Sequence, residues 1–470
     1  MDRSRTGNEA IAYHRDMRFV RRALLTIIGV GLVVLGVGWF IAGREQGPSI
    51  TITSPAKFVG RAGTMAVTID SPTAIAAATA QLEQNGQSAT VASYTGSGVP
   101  ETRIELQGAL GKAAQPALVN GAARLVVTAS RPVLFGLRTA TSSASRDVQV
   151  RLDPPRVAVV SIHHFINLGG AEFVVLRATP DDVSAGVRVG DDNYPAYPGA
   201  AVGLTDPALR VAFFALRHDQ DVSTRLMAYA KDEAGNEATT ALEHQPTNKK
   251  FLQSRIPIDQ PFLDRVVPAI ASNTPDLKID TASPDGLLKG FLTINGDLRK
   301  KNNATIAALA ANSRPEMLFK EAFVQMGNSQ VESRFADRRT YFFGDKEIDR
   351  QVHLGFDLAS LQHAPVLASN AGVVVFADFL GIYGNCVIID HGLGVQSLYA
   401  HMSSLGVKPG DSVTKGQEIG RTGATGLAGG DHLHFTMLLQ GTPVNPVEWW
   451  DQHWLDDRVL RKIREAGGAR

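Results

Sequence analysis

Hydrophobic and polar positions change their period several times along the chain. Between Ala23 and Ala42 there is no polar face at all: 20 uncharged residues follow one another, mostly Leu, Ile, Val and Gly. At 1.5 Å per residue a helix of that length spans about 30 Å, the hydrocarbon thickness of a bilayer. Arg15, Arg18, Arg21 and Arg22 precede the run, and Arg44 and Glu45 follow it. The positive-inside rule then places 1–22 in the cytoplasm as a short tail, 23–42 in the membrane, and everything after about residue 43 outside. A cleaved signal peptide is the alternative. The length of the run argues against it, as does Phe40, which stands where a small residue should precede Ala42.

After the span, the pattern shortens to the period of two expected of strands. Residues 49–152 carry runs such as Ile50–Thr53, Met65–Ile69 and Arg124–Thr128, separated by Gly, Ser, Pro and Asn clusters. Asp153-Pro154-Pro155 marks a boundary. Residues 156–242 repeat the β pattern, opening at Val157–Ser161 and closing at Arg225–Ala230. A turn of Asp, Gly and Asn follows, which predicts a hairpin. That turn resembles the last hairpin of bacterial immunoglobulin-like sandwiches.

Residues 243–330 read differently. Pro257, Pro261 and Pro268 suggest a linker. Ser283-Pro284 starts a helix in which Leu287, Leu288, Phe291, Ile294 and Leu298 recur at helical spacing, and a second apolar run covers Ile306–Ala311. This segment is expected to pack as a helical hairpin, or, through residues 283–312, to lie across an active-site groove and regulate access. From 331 to 454 the chain is again β and rich in Gly. Residues 455–470 form a basic tail, expected to be solvated.

The fold class predicted is therefore mainly β: an N-terminal transmembrane helix, one or two β-sandwich domains, a helical connecting segment and a C-terminal antiparallel β domain. The formal net charge is +1, which gives no basis for nucleic acid as a partner. Cys386 is the single cysteine, so an intrachain disulfide and a cysteine-ligated zinc site are both excluded. Any metal must sit on His and carboxylate.

Three short pieces supply such groups: His353-Leu-Gly-Phe-Asp357, Tyr399-Ala-His401 and His432-Leu-His434. On a strand, residues two and four apart share a face. His353, Gly355 and Asp357 would point one way, and Leu354 and Phe356 the other. His432 and His434 would share a face, with Leu433 and Phe435 buried behind them. Tyr399 would share a face with His401 and orient it or pack beside it. Imidazole and carboxylate on one sheet face suit zinc.

These pieces resemble the signature of the lysostaphin/LytM-type zinc metallopeptidases. Ser333–Arg338, Gly384–Gly392 and Gly420–Gly426 resemble the framing stretches of that family, so the likeness covers roughly 331–450. It implies that His353, Asp357 and His434 bind zinc and that His401 and His432 are the catalytic histidines, without saying which is the base. It implies a peptidoglycan peptide as substrate and hydrolysis by a zinc-activated water, in a chain held at the cytoplasmic membrane. Envelope proteins are the partners expected of the β domains. The alternative is a catalytically silent relative that activates another wall hydrolase. Two departures from the family pattern stand out. Asp431 precedes His432 and is expected to raise its pKa, and Thr436 occupies a position where an acidic residue is common.

Overall fold

A computed structural model describes residues 6–467, and the side chains from Phe19 onward. Met1–Arg5 of the expected tail and 468–470 at the other end lie outside the described residues. Helix α1 (Thr6–Ala42) contains one stretch, Phe19–Ala42, long and apolar enough to cross a membrane, and within it Ala42 alone is buried against protein. An anchor and a signal sequence share that signature.

The alternation of faces seen in the sequence produces two sheets between residues 49 and 150. Strands Ser49–Ser54, Gly63–Asp70 and Arg103–Leu110 form one antiparallel sheet. Phe58–Val59, Arg138–Val150, Gly121–Val133, Ala77–Gln84 and Gln87–Thr95, in that order, form the other. Met65, Val67 and Ile69 from one sheet and Leu125, Val127 and Ala129 from the other face a common core. Residues up to Pro154, with 233–236, make up one compact unit, and the rest of the chain makes up the second.

The second unit begins with a sandwich of two four-stranded sheets. The hairpin read from the sequence is present: Leu226–Lys231 pairs antiparallel with Glu237–Ala241, and Lys231 faces Glu237 across the turn. The inward face of this sandwich is continuous with the C-terminal domain. Phe173 and Phe213 pack with Phe319, Phe323 and Trp449 in one core.

The proline-marked linker is in fact ordered. Gln253–Ile258, with Pro257 inside it, pairs parallel to Asp337–Phe343, which pairs in turn with Lys346–His353. Pro261 lies in the first turn of helix α2 (Gln260–Ser272), where its missing N–H costs nothing, and Asp259 caps that helix by accepting from Phe262 N at 2.9 Å. Pro268 sits within α2 and still buries Val266, Val267 and Ile270 around it. Helix α3 (Pro284–Thr293) starts at the expected cap, Ser283, and runs through a wide turn at Ile294–Leu298 into α4 (Arg299–Ala310).

The C-terminal domain is built on an antiparallel sheet. Its strand order is Gln330–Ser333, Phe356–Ala359, Leu433–Leu439, Val395–Met402, Asn385–Asp390, Gly372–Phe379 and Ser412–Val413, with Thr442–Val444 also on Leu433–Leu439. The expected solvated tail is corrected. Leu455, Val459 and Ile463, four residues apart on one helical face, are buried, and Lys462 reaches Glu172 at 2.8 Å with both side chains fully enclosed. The tail reads as solvated because its sequence is rich in charge, and the partner that allows Lys462 to be buried lies far away in the chain.

Candidate metal centre

The first motif does not lie on one strand. His353 ends Lys346–His353, Leu354 and Gly355 turn the chain, and Asp357 belongs to Phe356–Ala359 in the other sheet. The strand Leu433–Leu439 pairs beside it and sets His434 directly opposite Asp357. The result is a tight triangle. His353 Nε2 is 2.9 Å from Asp357 Oδ1 and 2.9 Å from His434 Nδ1, and His434 Nδ1 is 3.0 Å from Asp357 Oδ1.

The other nitrogen of each ring is committed. His353 Nδ1 donates to the Arg334 carbonyl at 3.2 Å. His434 Nε2 donates to Thr436 Oγ1 at 2.9 Å, because the Thr436 hydroxyl gives its own proton to Leu354 O at 2.9 Å. Both rings therefore turn a lone pair toward Asp357. Two imidazole lone pairs and one carboxylate oxygen about 3 Å apart lie within a few tenths of an ångström of the roughly 3.3 Å edge of a tetrahedron around an ion bound at about 2.0–2.1 Å. The donor set fits a metal such as zinc, and among the described residues His353, Asp357 and His434 are a cluster able to hold one.

Asp357 is further held by Arg339, whose Nη2 donates to Oδ2 at 2.9 Å and to Ser333 Oγ at 2.8 Å. Burial alone would push this carboxyl up, but His353, His432 and His434 around it hold it well below the usual carboxylate range. Arg339 had no signature in the sequence. It comes from a strand that carries none of the three motifs, and only the fold brings it to Asp357.

Gly355 leaves room for the neighbouring side chains. A Cβ there would lie 2.6 Å from the His434 ring and from Thr436 Oγ1. Thr436, noted only as a departure from the family pattern, is the residue that fixes the His434 tautomer.

His401 and His432 flank the triangle, with ring centroids 4.9 Å apart, and His401 lies 5.7 Å from His434. His401 Nδ1 donates to Thr425 O at 2.8 Å, so its Nε2 keeps the lone pair. Burial, followed by the charges of His432 and His434, drives its pKa well down and keeps the ring neutral. His432 Nδ1 donates to Gly430 O at 2.8 Å. Burial opposes its imidazolium, yet the Asp357 carboxylate, 3.5 Å from Nε2, outweighs that and raises its pKa.

Two second-sphere expectations are corrected. The Asp431 carboxylate does not act on His432. It accepts from Thr422 Oγ1 at 2.6 Å and from His363 N at 3.2 Å, and it pairs with the His363 ring at 3.4 Å. The carboxylate facing His432 is Asp357. Tyr399 does not touch His401. Its hydroxyl accepts from Ser369 N at 2.7 Å and Ser397 Oγ at 2.9 Å, on the buried side. The alternation fails because His401 has φ +63°, which rotates it away from the face its spacing predicts.

The triangle opens into a cavity of about 590 Å³. One wall is the C-terminal domain. The other is the helical segment, through Phe262 and Arg265 of α2, Phe291 of α3 and Arg299 of α4. Arg265 Nη2 bonds to the carbonyls of Ala428 and Gly429 at 2.9 and 3.2 Å, tying α2 to the loop before His432.

Residues 351–446 match the profile of Peptidase family M23. A DD-carboxypeptidase/endopeptidase, Mpg, of Neisseria meningitidis is 45% identical over 97 residues, 21% of this chain and 22% of that protein. The peptidoglycan DD-endopeptidase ShyA of Vibrio cholerae is 36% identical over 121 residues, 25% of this chain and 27% of that protein. The murein hydrolase activator EnvC of Escherichia coli is 37% identical over 95 residues, 20% of this chain and 23% of that protein. The chain thus spans about a quarter of the length of the curated relatives it matches.

Proposed function

From the premise that this chain carries a C-terminal domain of peptidase family M23, we propose that it is a membrane-anchored zinc endopeptidase that hydrolyses peptide bonds of peptidoglycan. The observation that carries the reading is the triangle of His353, Asp357 and His434, set in an open cavity and flanked by two further histidines. Relatives named as DD-endopeptidases support the substrate class, and the apolar helix α1, preceded by arginines, supports an anchor with the bulk of the chain on the extracytoplasmic side.

His353, Asp357 and His434 would hold a zinc ion, which would supply Lewis-acid polarisation of the scissile carbonyl and of the water. The protein supplies the proton chemistry. His401, neutral and fixed by Thr425, takes the proton at Nε2. His432, held through Nδ1 by Gly430 O, donates in its imidazolium form from Nε2 to the oxygen on which charge develops. Arg339 holds Asp357 by one oxygen and leaves the other to face the two ligand histidines. Burial of the ligands makes each of these interactions stronger than it would be in water.

The rival reading is a silent activator, and EnvC shows that similar domains occur in a protein of that name. An intact ligand set favours the enzyme. His434→Ala separates the two: on the enzyme reading the variant loses zinc, measured by elemental analysis, and loses peptide release in parallel. Full zinc occupancy in that variant would contradict the ligand assignment.

A further inference from the structure

The longest hairpin of the first unit ends in an apolar tip on which Phe135 and Leu137 are exposed. Gly121–Val133 and Arg138–Val150 pair along their whole length, and Val133 opposite Arg138 closes the ladder. The four residues between them are Leu134, Phe135, Gly136 and Leu137. Phe135 is 103% exposed and Leu137 61%. Leu134 and Phe135 have φ +51° and +55°, a left-handed conformation that non-glycine residues rarely adopt, and Gly136 follows at +85°. The backbone thus departs from its ordinary conformations at the one place where the hairpin presents bulky apolar side chains.

The tip meets the end of the apolar helix. Ala42 of α1 is buried with Val133 and Ala140, and Leu134 packs on them. A Cβ on Gly38 would lie 3.2 Å from Leu134 Cδ1. Arg138 Nη1 donates to the Trp39 carbonyl at 2.8 Å, and its guanidinium lies 5.0 Å from the Trp39 ring centroid. From Gly38 to the end of α1 at Ala42 is about 6 Å along the axis, roughly one helical turn. Trp39 and Phe40 remain exposed there, and the Arg44 guanidinium lies 4.6 Å from the Phe40 ring centroid. Aromatic rings beside arginine heads, at the end of an apolar span, are the composition of a membrane–water interface.

We propose that the Leu134–Leu137 tip is a lipid-binding element, inserting Phe135 and Leu137 into the leaflet that receives the C-terminal end of α1. The first unit is then held at the bilayer by two apolar elements, with Arg138 at headgroup level between them. This inference rests on α1 being a retained anchor. The tip is too short to cross the bilayer, and its apolar surface suits shallow acyl-chain contact.

The test uses the full chain in vesicles of phosphatidylethanolamine and phosphatidylglycerol. Cys386 is fully buried, and burial pushes its thiol up, so an introduced cysteine takes the label. A polarity-sensitive fluorophore goes on Phe135→Cys, on Asn85→Cys at the end of another hairpin of the same unit, and on Val33→Cys within α1. The proposal expects emission at shorter wavelength from position 135 than from 85, quenching at 135 by spin-labelled acyl chains, and protection there from aqueous iodide. Iodide quenching at 135 equal to that at 85 would overturn it. Protection from iodide without lipid quenching would also overturn it, in favour of a protein partner on the tip. The Leu137→Cys label repeats the reading should Phe135→Cys alter the turn. Position 33 keeps the two claims apart: a label there that is not lipid-quenched sinks the anchor itself, whereas lipid quenching at 33 but not at 135 sinks only the insertion of the tip.

Discussion

At the scale of single residues, the site is decided by the groups that hold the ligands as much as by the ligands. Which nitrogen His434 offers depends on a hydroxyl two residues on, and Thr436→Val removes that acceptor while conserving shape. We expect zinc affinity to fall about 10–100-fold, measured by competition with a chromophoric chelator, and the melting temperature of the metal-free protein to fall as well, because Leu354 O loses its donor. Gly355→Ala places a Cβ 2.6 Å from the same ring and is expected to displace His434, so that zinc affinity falls further than in the Thr436 variant. An unchanged affinity there would mean that the ring has other room. The clustering of His353, Asp357 and His434 is legible in the sequence, because two motifs carry them. Their supports are not. Arg339 reaches Asp357 from a strand without a motif, and Asp431 turns to Thr422 and His363, a partner 68 residues distant in the chain. Tyr399 illustrates a different limit: period-two alternation holds only while φ stays extended, and the +63° at His401 cannot be read from letters.

At the scale of elements, the strands and the capped helix α3 follow from periodicity, and the hairpin at Lys231–Glu237 from its turn residues. Proline misled, because its effect depends on position: Pro261 initiates α2, and Pro257 sits in a strand at a place that periodicity does not mark. The C-terminal helices misled for another reason. Lys462, buried among them, is satisfied by Glu172 of the strand Ala171–Thr179, 290 residues earlier. Removing one partner of such an enclosed pair strands the other, so Lys462→Ala is expected to cost about 3–5 kcal/mol in denaturant unfolding. Glu448 is buried nearby. Burial pushes its pKa up to about 7, although Asn167 Nδ2 and Ala171 N donate to it at 2.6 and 2.8 Å. Its folded pKa lies above the unfolded one, so the folded state binds the extra proton. Stability is then lost as the pH rises from about 4.5 to about 7. Glu448→Gln should flatten that slope, and the variant should gain on the wild type in thermal midpoint between pH 5 and pH 8. Equal slopes would show that the carboxyl does not titrate in this window.

At the scale of the whole molecule, the peptidase domain is not free-standing. The family match ends at residue 446, but the core beneath it continues through Phe173, Phe213 and Trp449. Residues 331–470 alone would expose that surface, so we expect them to be insoluble or to melt far below residues 155–470, which retain it. The same continuity gives the cavity its second wall, since α2, α3 and α4 lie before the matched segment. The central claim is that this cavity cuts wall peptides with a bound metal. The most direct measurement incubates the full-length chain, in detergent, with purified peptidoglycan, before chelation, after chelation and after zinc is restored, and identifies released peptides by mass. New peptide ends should form, vanish with chelator and return with zinc. Zinc bound at the site with no new ends formed would contradict the central claim.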